Sequence, residues 1–265
     1  MLIFTTHKKR LRDHFKKNPV LFAYHTGDLD DPHFPHCQWG ALFGRYSKID
    51  EVVLTYTGLS NPTVLAFGVS ERFAELLDEM LPLLPNRFHG HFQAQHRDRF
   101  TAWYDEEPMG HHFKMKLGRF TPVAFKNDNV SVRRLGPKDA DELIEFYRSA
   151  YPDGFFEPRM LQSSRFLGAM VDSRLAAVTG VHVHSPDYGV AVLGCIATHP
   201  DFRGQGLATG LTSRLLEELT GDVDLICLNV YSGNTPAIRS YEKLGFSVVH
   251  EYEEAFFTRK EDPAA

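Results

Sequence analysis

A chain of 265 residues, 43% hydrophobic and 24% charged, has room for one large domain or two ordinary ones with sizeable cores. The formal net charge of -5 argues against a dedicated nucleic-acid binder, whose surface is usually basic. Three cysteines far apart (Cys37, Cys195, Cys227) indicate no disulfide framework, and no apolar run is long enough for a signal segment or a membrane span, so a cytoplasmic location is expected.

In chain order, residues 5–18 read as a short basic amphipathic helix with Leu11 and Phe15 on one face. Val20 to Tyr24 reads as a strand, and Gly27 to His36 as a loop carrying Asp28, Asp30, Asp31, Pro32 and Pro35. Strands are predicted at Trp39 to Tyr46, Glu51 to Tyr56 and Thr63 to Phe67. A helix starts near Ser70 and runs to Leu81 on an apolar face of Phe73, Leu76, Leu77 and Met80, stopped by Pro82 and Pro85. Arg87 to Ala94 reads as a strand, His96 to Tyr104 as a short helix, and His111 to Leu117 as a strand. No motif in this half fixes a chemistry. It is rich in histidine, and His89-x-His91 puts two imidazoles on one face of a strand. No spacing matches a known metal site and no acidic residue stands at a diagnostic interval, so no metal is expected.

Pro122 to Asn129 reads as a connection. The second half then gives a strand at Val130 to Leu135, a helix at Asp139 to Tyr147, a short helix at 155–161, and strands at Phe166 to Val171, Leu175 to His184 and Val190 to Thr198. After Thr198 comes a turn containing Arg203-Gly204-Gln205-Gly206, then a helix with Leu211, Leu215, Leu216 and Leu219 at helical spacing. A helix start leaves backbone N–H groups unpaired and carries about half a positive charge, and the glycines let an anion approach. The pattern is neither a Walker loop nor the dinucleotide G-x-G-x-x-G. Leu225 to Val230 is a strand, Thr235 to Leu244 a helix with Pro236 in its first turn and Gly245 at its end, and Phe246 to Val249 and Tyr252 to Thr258 are two last strands.

This order resembles the GCN5-related N-acetyltransferase (GNAT) superfamily over about residues 130–260. Arg203-Gly204-Gln205-Gly206-Leu207-Ala208 fits its signature, and Asn234 through Tyr241 to Leu244-Gly245-Phe246 fits its second hallmark. The run Cys195 to Pro200 resembles a bacterial two-part branch with an extra N-terminal half, often a degenerate copy of the same fold. The expected class is therefore α+β (mixed α/β), with an N-terminal α+β domain at 1–122 and a GNAT acetyltransferase domain at 130–260.

The resemblance implies an enzyme: an N-acyltransferase that moves an acetyl group from acetyl-CoA to a primary amine by direct attack through a tetrahedral intermediate. The alternative is an acyl-CoA-binding sensor without turnover. The pyrophosphate would rest on Arg203, Gly204, Gln205, Gly206, Leu207, Ala208 and Thr209. The pantetheine arm would pair with a splayed strand through Ile196, Ala197 and Thr198, with Asn229 and Asn234 adding amide hydrogen bonds. Tyr241 would be the general acid for the leaving thiolate. The glutamate that many relatives use as base is missing from Val190 to Thr198, which leaves His182 and His184 as the titratable candidates, with His199, Glu157, Tyr188 or a water chain as alternatives. An acyl-Cys195 route lacks an adjacent histidine in the sequence, so direct transfer is expected. Phe155, Phe156, Arg159 and the N-terminal half would shape a pocket for a small amine; a homodimer is compatible, and no nucleic-acid or membrane partner is expected.

Overall fold

The computed structural model describes residues 1–261 apart from Asp153, Phe155 and Ser164. The chain divides into two compact units. The first comprises 1–114 with 231–233 and 249–265; the second comprises 115–230 with 234–248.

The first unit runs β1 (Leu2–Phe4), α1 (Lys8–Phe15), α2 (Ala23–Gly27), β2 (Cys37–Phe43), β3 (Ile49–Tyr56), β4 (Thr63–Ala66), α3 (Phe73–Met80), β5 (Arg87–Phe92), α4 (Arg97–Trp103) and β6 (Tyr104–Leu117), whose last residues, 115–117, belong to the second unit. Strands β1 to β4 pair antiparallel in sequence order, and β4 pairs parallel with β5. The free edge of β5 is taken by the chain's last strand, β12 (Phe246–Arg259), with Glu254 opposite His91 and Phe256 opposite His89. Side chains alternate along a strand. Phe88 and Phe92 of β5 and Ala255 and Phe257 of β12 therefore enter one core with Phe73, Leu76, Leu77 and Met80 of α3. Gly90 sits where a Cβ would come within 2.8 Å of the Phe257 ring, so this close approach needs glycine. His89 and His91 occupy the opposite face.

The second unit repeats the succession: β7 (Val130–Leu135), α5 (Ala140–Ala150), α6 (Met160–Ser163), β8 (Phe166–Val171), β9 (Arg174–Ser185), β10 (Val190–Thr198), α7 (Leu207–Leu219), β11 (Leu225–Tyr231), α8 (Thr235–Leu244) and the start of β12. Strands β7 to β10 pair antiparallel in order, and β10 pairs parallel with β11. Each unit thus has a strand, two helices, three strands, a helix, a strand, a helix and a strand, with its one parallel pair in the same place. The class is mixed α/β, as expected. Among the described residues no helix is long and apolar enough to cross a membrane.

Several elements differ from the sequence reading. Val20 to Tyr24 is not a strand: it is turn followed by the first residues of α2, and Leu21, Phe22 and Ala23 are all buried. A short apolar run without alternation fits a buried helix end as well as a strand. The two last strands are one, Phe246–Arg259, because nothing between Val249 and Tyr252 interrupts extended backbone. The strand expected at His111 begins already at Tyr104, and Leu2–Phe4 forms an unanticipated edge strand.

Two outcomes follow. Phe257 is fully buried among Phe88, Phe92 and Phe100, with ring centroids 5.3, 5.4 and 4.9 Å away. Phe257→Ala is expected to cost about 3–5 kcal/mol in denaturant unfolding of the first unit, despite its place near the C-terminus. The Asp28 carboxyl is pushed up to about 8 by burial, against about 3.9 in an unfolded chain. The folded state therefore keeps a proton that the unfolded chain releases. Its stabilising contribution is full below pH about 4 and is lost as pH rises through about 8. Asp28→Asn is expected to flatten the fall in stability across that window; an unchanged slope would contradict the assignment.

Candidate functional site

The site grows from a fork in the second unit's sheet. The β10–β11 ladder runs from Val190 opposite Leu225 to Leu193 opposite Leu228. Gly194 to Thr198 and Asn229 to Tyr231 continue past it. On its other side β10 follows β9, with Gly194 opposite Gly180 and Ala197 opposite Val178. Cys195 and Ile196 therefore face Thr179 alone. This is a bulge, and one residue of such a pair falls outside the ladder.

Cys195 adopts φ +54°, the left-handed region that non-glycine residues rarely enter. Three contacts hold it there. The Tyr147 hydroxyl, from α5, donates to the Cys195 carbonyl at 2.6 Å. His182 Nε2 lies 3.2 Å from Cys195 Sγ. The His182 ring also fills the space beside Gly194, where a Cβ would come within 2.2 Å of Nε2. The expectation that no histidine neighbours Cys195 is thus corrected: His182 is thirteen residues away in sequence but on the adjoining strand. Burial nevertheless pushes the Cys195 thiol up to about 12, with the Tyr147 hydrogen bond only partly opposing it. A thiol so protonated is a poor nucleophile.

The loop after β10 supplies an anion-friendly surface. His199 Nδ1 accepts from the Asp201 N–H at 3.3 Å, and Asp201 pairs with Arg174 at 2.9 Å, so His199 secures the turn. Gly204 and Gly206 have φ +79° and +77°, and Gly206 is the N-cap of α7 with no capping side chain. A Cβ at Gly204 would meet nothing within 4 Å; at Gly206 it would meet only the Lys126 side chain, at 3.9 Å. The backbone is bare and open on that side. Gln205 is exposed and Ala208 half-buried, whereas Leu207 and Thr209 are buried and anchor the first turn. Arg203 donates to the Thr198 carbonyl at 3.3 Å and the Ala150 carbonyl at 2.9 Å, tying the loop to β10 and α5. Its acceptors are neutral, so its charge is not cancelled by them. Lys126, beside Gly206, was not singled out from the sequence because a lysine in a polar connection carries no pattern.

The other expected residues are placed as follows. Asn234 caps α8, its Oδ1 accepting from the Ala237 N–H at 3.2 Å, which leaves its amide N–H groups to donate elsewhere. Tyr241, on α8, is buried, and burial, with Tyr151 adding, raises its hydroxyl well above the usual phenol value. It stays protonated through the neutral range. Asn229 is half-buried where β11 leaves the ladder, and Ile196 and Thr198 are half-buried on β10 beside buried Ala197. His184 is not brought to the fork. It stands opposite Ala191, five residues before Ile196, and its Nε2 meets Asp222 at 2.8 Å. Glu157 pairs with Arg159 at 2.7 Å, and Tyr188 is half-buried in the turn before β10. Phe156 stacks on Tyr147 at 4.7 Å as part of a core cluster, and Phe155 lies outside the described residues.

The first unit has a loop in the equivalent place, between β4 and α3, and it is built differently. The Gly68 N–H donates to Gln93 Oε1 at 2.9 Å, and the Val69 N–H to Glu51 Oε2 at 3.1 Å. Glu51 is fully buried; burial raises its carboxyl above the usual value, while hydrogen bonds from Ser70 and Val69 oppose this. A side-chain amide and a side-chain carboxylate thus occupy two backbone donors of the loop that leads into α3.

Comparisons with known proteins bear chiefly on the second unit. Residues 137–246 match the model of the Acetyltransferase (GNAT) family. A mycothiol acetyltransferase of Mycobacteroides abscessus is 30% identical over 146 residues, 48% of this chain and 49% of that protein. The chain thus spans about half the length of the curated relative it matches. A solved Drosophila protein superposes over 100% of this chain and 99% of its own with a TM-score of 0.71 at 14% identity. A tandem GNAT protein from the clavulanic acid biosynthesis pathway covers 99% of this chain and 100% of its own with a TM-score of 0.53 at 14% identity. These two likenesses concern the fold. Residues 137–246, which carry the open fork and the bare loop at α7, thus match the Acetyltransferase (GNAT) family.

Proposed function

We propose that the chain transfers an acetyl group from acetyl-CoA to a primary amine by direct attack, using the second unit as the donor site. The observation that carries this reading is the fork: β10 leaves β11 at Leu193 and bulges at Cys195–Ile196, immediately before the open loop of Gly204 and Gly206. A strand edge with unsatisfied main-chain groups can pair with an amide-bearing chain such as pantetheine. The first-turn N–H groups of α7, from Gln205 to Thr209, would then hold the pyrophosphate, with Arg203 and Lys126 adding positive charge.

At the bulge, a main-chain N–H near Ile196 would donate to the carbonyl oxygen as negative charge develops on it. One preorganised donor of this kind is worth about 10²–10³ in rate. Tyr241 would protonate the departing thiolate. Burial keeps its hydroxyl protonated but also makes it a weaker acid than an ordinary phenol, so transfer to a thiolate whose conjugate acid titrates near 8.5 is uphill in the resting site and would have to accompany C–S cleavage. Asn229 and Asn234 would orient the pantetheine arm. His182, at the bulge, is the residue we assign to accept the amine's proton; His184, held by Asp222, is assigned a structural part. Cys195 is assigned to packing and to the bulge, because its thiol is held protonated.

Three outcomes are expected. An amine panel with thiol-release detection shows acetyl-CoA-dependent turnover; acetyl-CoA binding without release from any amine would favour the sensor reading. Tyr241→Phe lowers kcat by about 10²–10⁴ with acetyl-CoA affinity retained, and unchanged kcat would remove Tyr241 from the chemistry. His182→Ala shifts or abolishes the acidic limb of the pH–rate profile, where a base is lost to protonation, while His184→Ala leaves it in place; the reverse pattern would exchange their roles.

A further inference from the structure

We propose that the first unit contains a binding site for a divalent transition-metal ion, with zinc the best fit, formed by His89 and His91 of β5, Glu254 of β12 and His112 of β6. The site lies in the unit that the acyl-transfer reading does not use.

The geometry comes first. His89 Nε2 is 3.1 Å from Glu254 Oε2, and His91 Nδ1 is 3.8 Å from Glu254 Oε1. One ligand atom from each of these three residues lies within 4.8 Å of the others. His112 Nε2 is 3.8 Å from Glu254 Oε2. Zinc bonds of about 2.0–2.1 Å in a tetrahedron put neighbouring ligand atoms about 3.4 Å apart, so small shifts of His89, His91 and Glu254 would supply three ligands, and His112, outside that group of three and near Glu254, would swing in as the fourth. Three imidazoles and one carboxylate suit zinc better than magnesium or calcium.

The hydrogen bonds point the same way. His112 Nδ1 lies 2.9 Å from the Gly110 carbonyl, which can only accept, so Nδ1 carries the proton. In neutral His112 the Nε2 lone pair then faces the Glu254 carboxylate. His91 Nδ1 is buried with no hydrogen-bond partner and also faces that carboxylate, beyond hydrogen-bond distance. Lone pairs converging on a carboxylate repel unless a proton or a cation stands between them. The Tyr252 hydroxyl donates to Glu254 Oε1, the kind of outer contact that orients a ligating carboxylate.

The sequence hides the site because Glu254 stands 163 residues beyond His91 and reaches it only through the pairing of β12 with β5. A metal here would clip the chain's last strand to β5.

The test is zinc titration of chelator-stripped full-length protein, read by calorimetry, together with cobalt absorption spectra. The expected result is one zinc per chain, a rise in thermal midpoint on loading, and cobalt bands of four-coordinate strength. His89→Gln, at a partly exposed position, is expected to weaken zinc binding more than about 100-fold, and Tyr252→Phe about 10–100-fold. His36→Gln, outside the cluster, leaves it unchanged. If stripped wild-type protein with native circular dichroism binds no zinc, or if His89→Gln binds as the wild type does, the proposal is overturned. Acetyl-CoA binding, measured in the same samples, reports separately on the second unit.

Discussion

The bulge at Cys195–Ile196 is the constraint on which the candidate site depends. It is costly by itself: a non-glycine residue in the left-handed region costs about 1–2 kcal/mol. The buried hydrogen bond from Tyr147 to the Cys195 carbonyl returns about 1 kcal/mol. Packing of Cys195 and Ala197 against Leu143, Phe146 and Phe166 supplies the remainder. The strain is thus carried by the core of α5 and β8 rather than by the loop that follows. This leaves Gly204 and Gly206 free of any structural duty except their backbone angles. A loop relieved of packing can stay open, and openness is what an anion site at a helix start requires.

The two units show how one architecture supports different chemistry. Both have the same succession of elements and the same parallel pair. In the second, glycines of positive φ precede a thirteen-residue helix with no side-chain cap. In the first, Gln93 and Glu51 accept from the N–H groups of Gly68 and Val69 in the loop before the helix, and the helix is eight residues long. An internal carboxylate at that point both removes the donors and repels a phosphate. The first unit instead gathers titratable groups on the face of β5 opposite its phenylalanine core, where His89, His91 and Glu254 meet.

Much of the second unit was legible in the sequence because its signals are local. Strand alternation, Gly245 after the last helix and the spacing Arg203-Gly204-Gln205-Gly206 each act within a few residues. What was hidden depends on non-local pairing. His182 meets Cys195 only because β9 and β10 are neighbours. Tyr147 reads as an ordinary helix aromatic until α5 packs over the bulge. Glu254 belongs with His91 only because β12 completes the first unit's sheet, and no residue in Phe246–Arg259 indicates which unit that strand joins. The separation of His182 from His184 was equally invisible: two residues apart on one strand, they sit beside different residues of β10, and only one reaches the fork.

The central claim is that a single donor site exists, in the second unit, and that it rests on the bare loop at α7. The most direct measurement is calorimetric titration of the full-length protein with acetyl-CoA, repeated with Gly206→Val. The account predicts one acetyl-CoA per chain and an affinity reduced by more than tenfold in the variant, whose side chain would strain the positive φ that glycine permits. Two equivalents per chain, or a Gly206→Val protein that binds as tightly as the wild type, would contradict it.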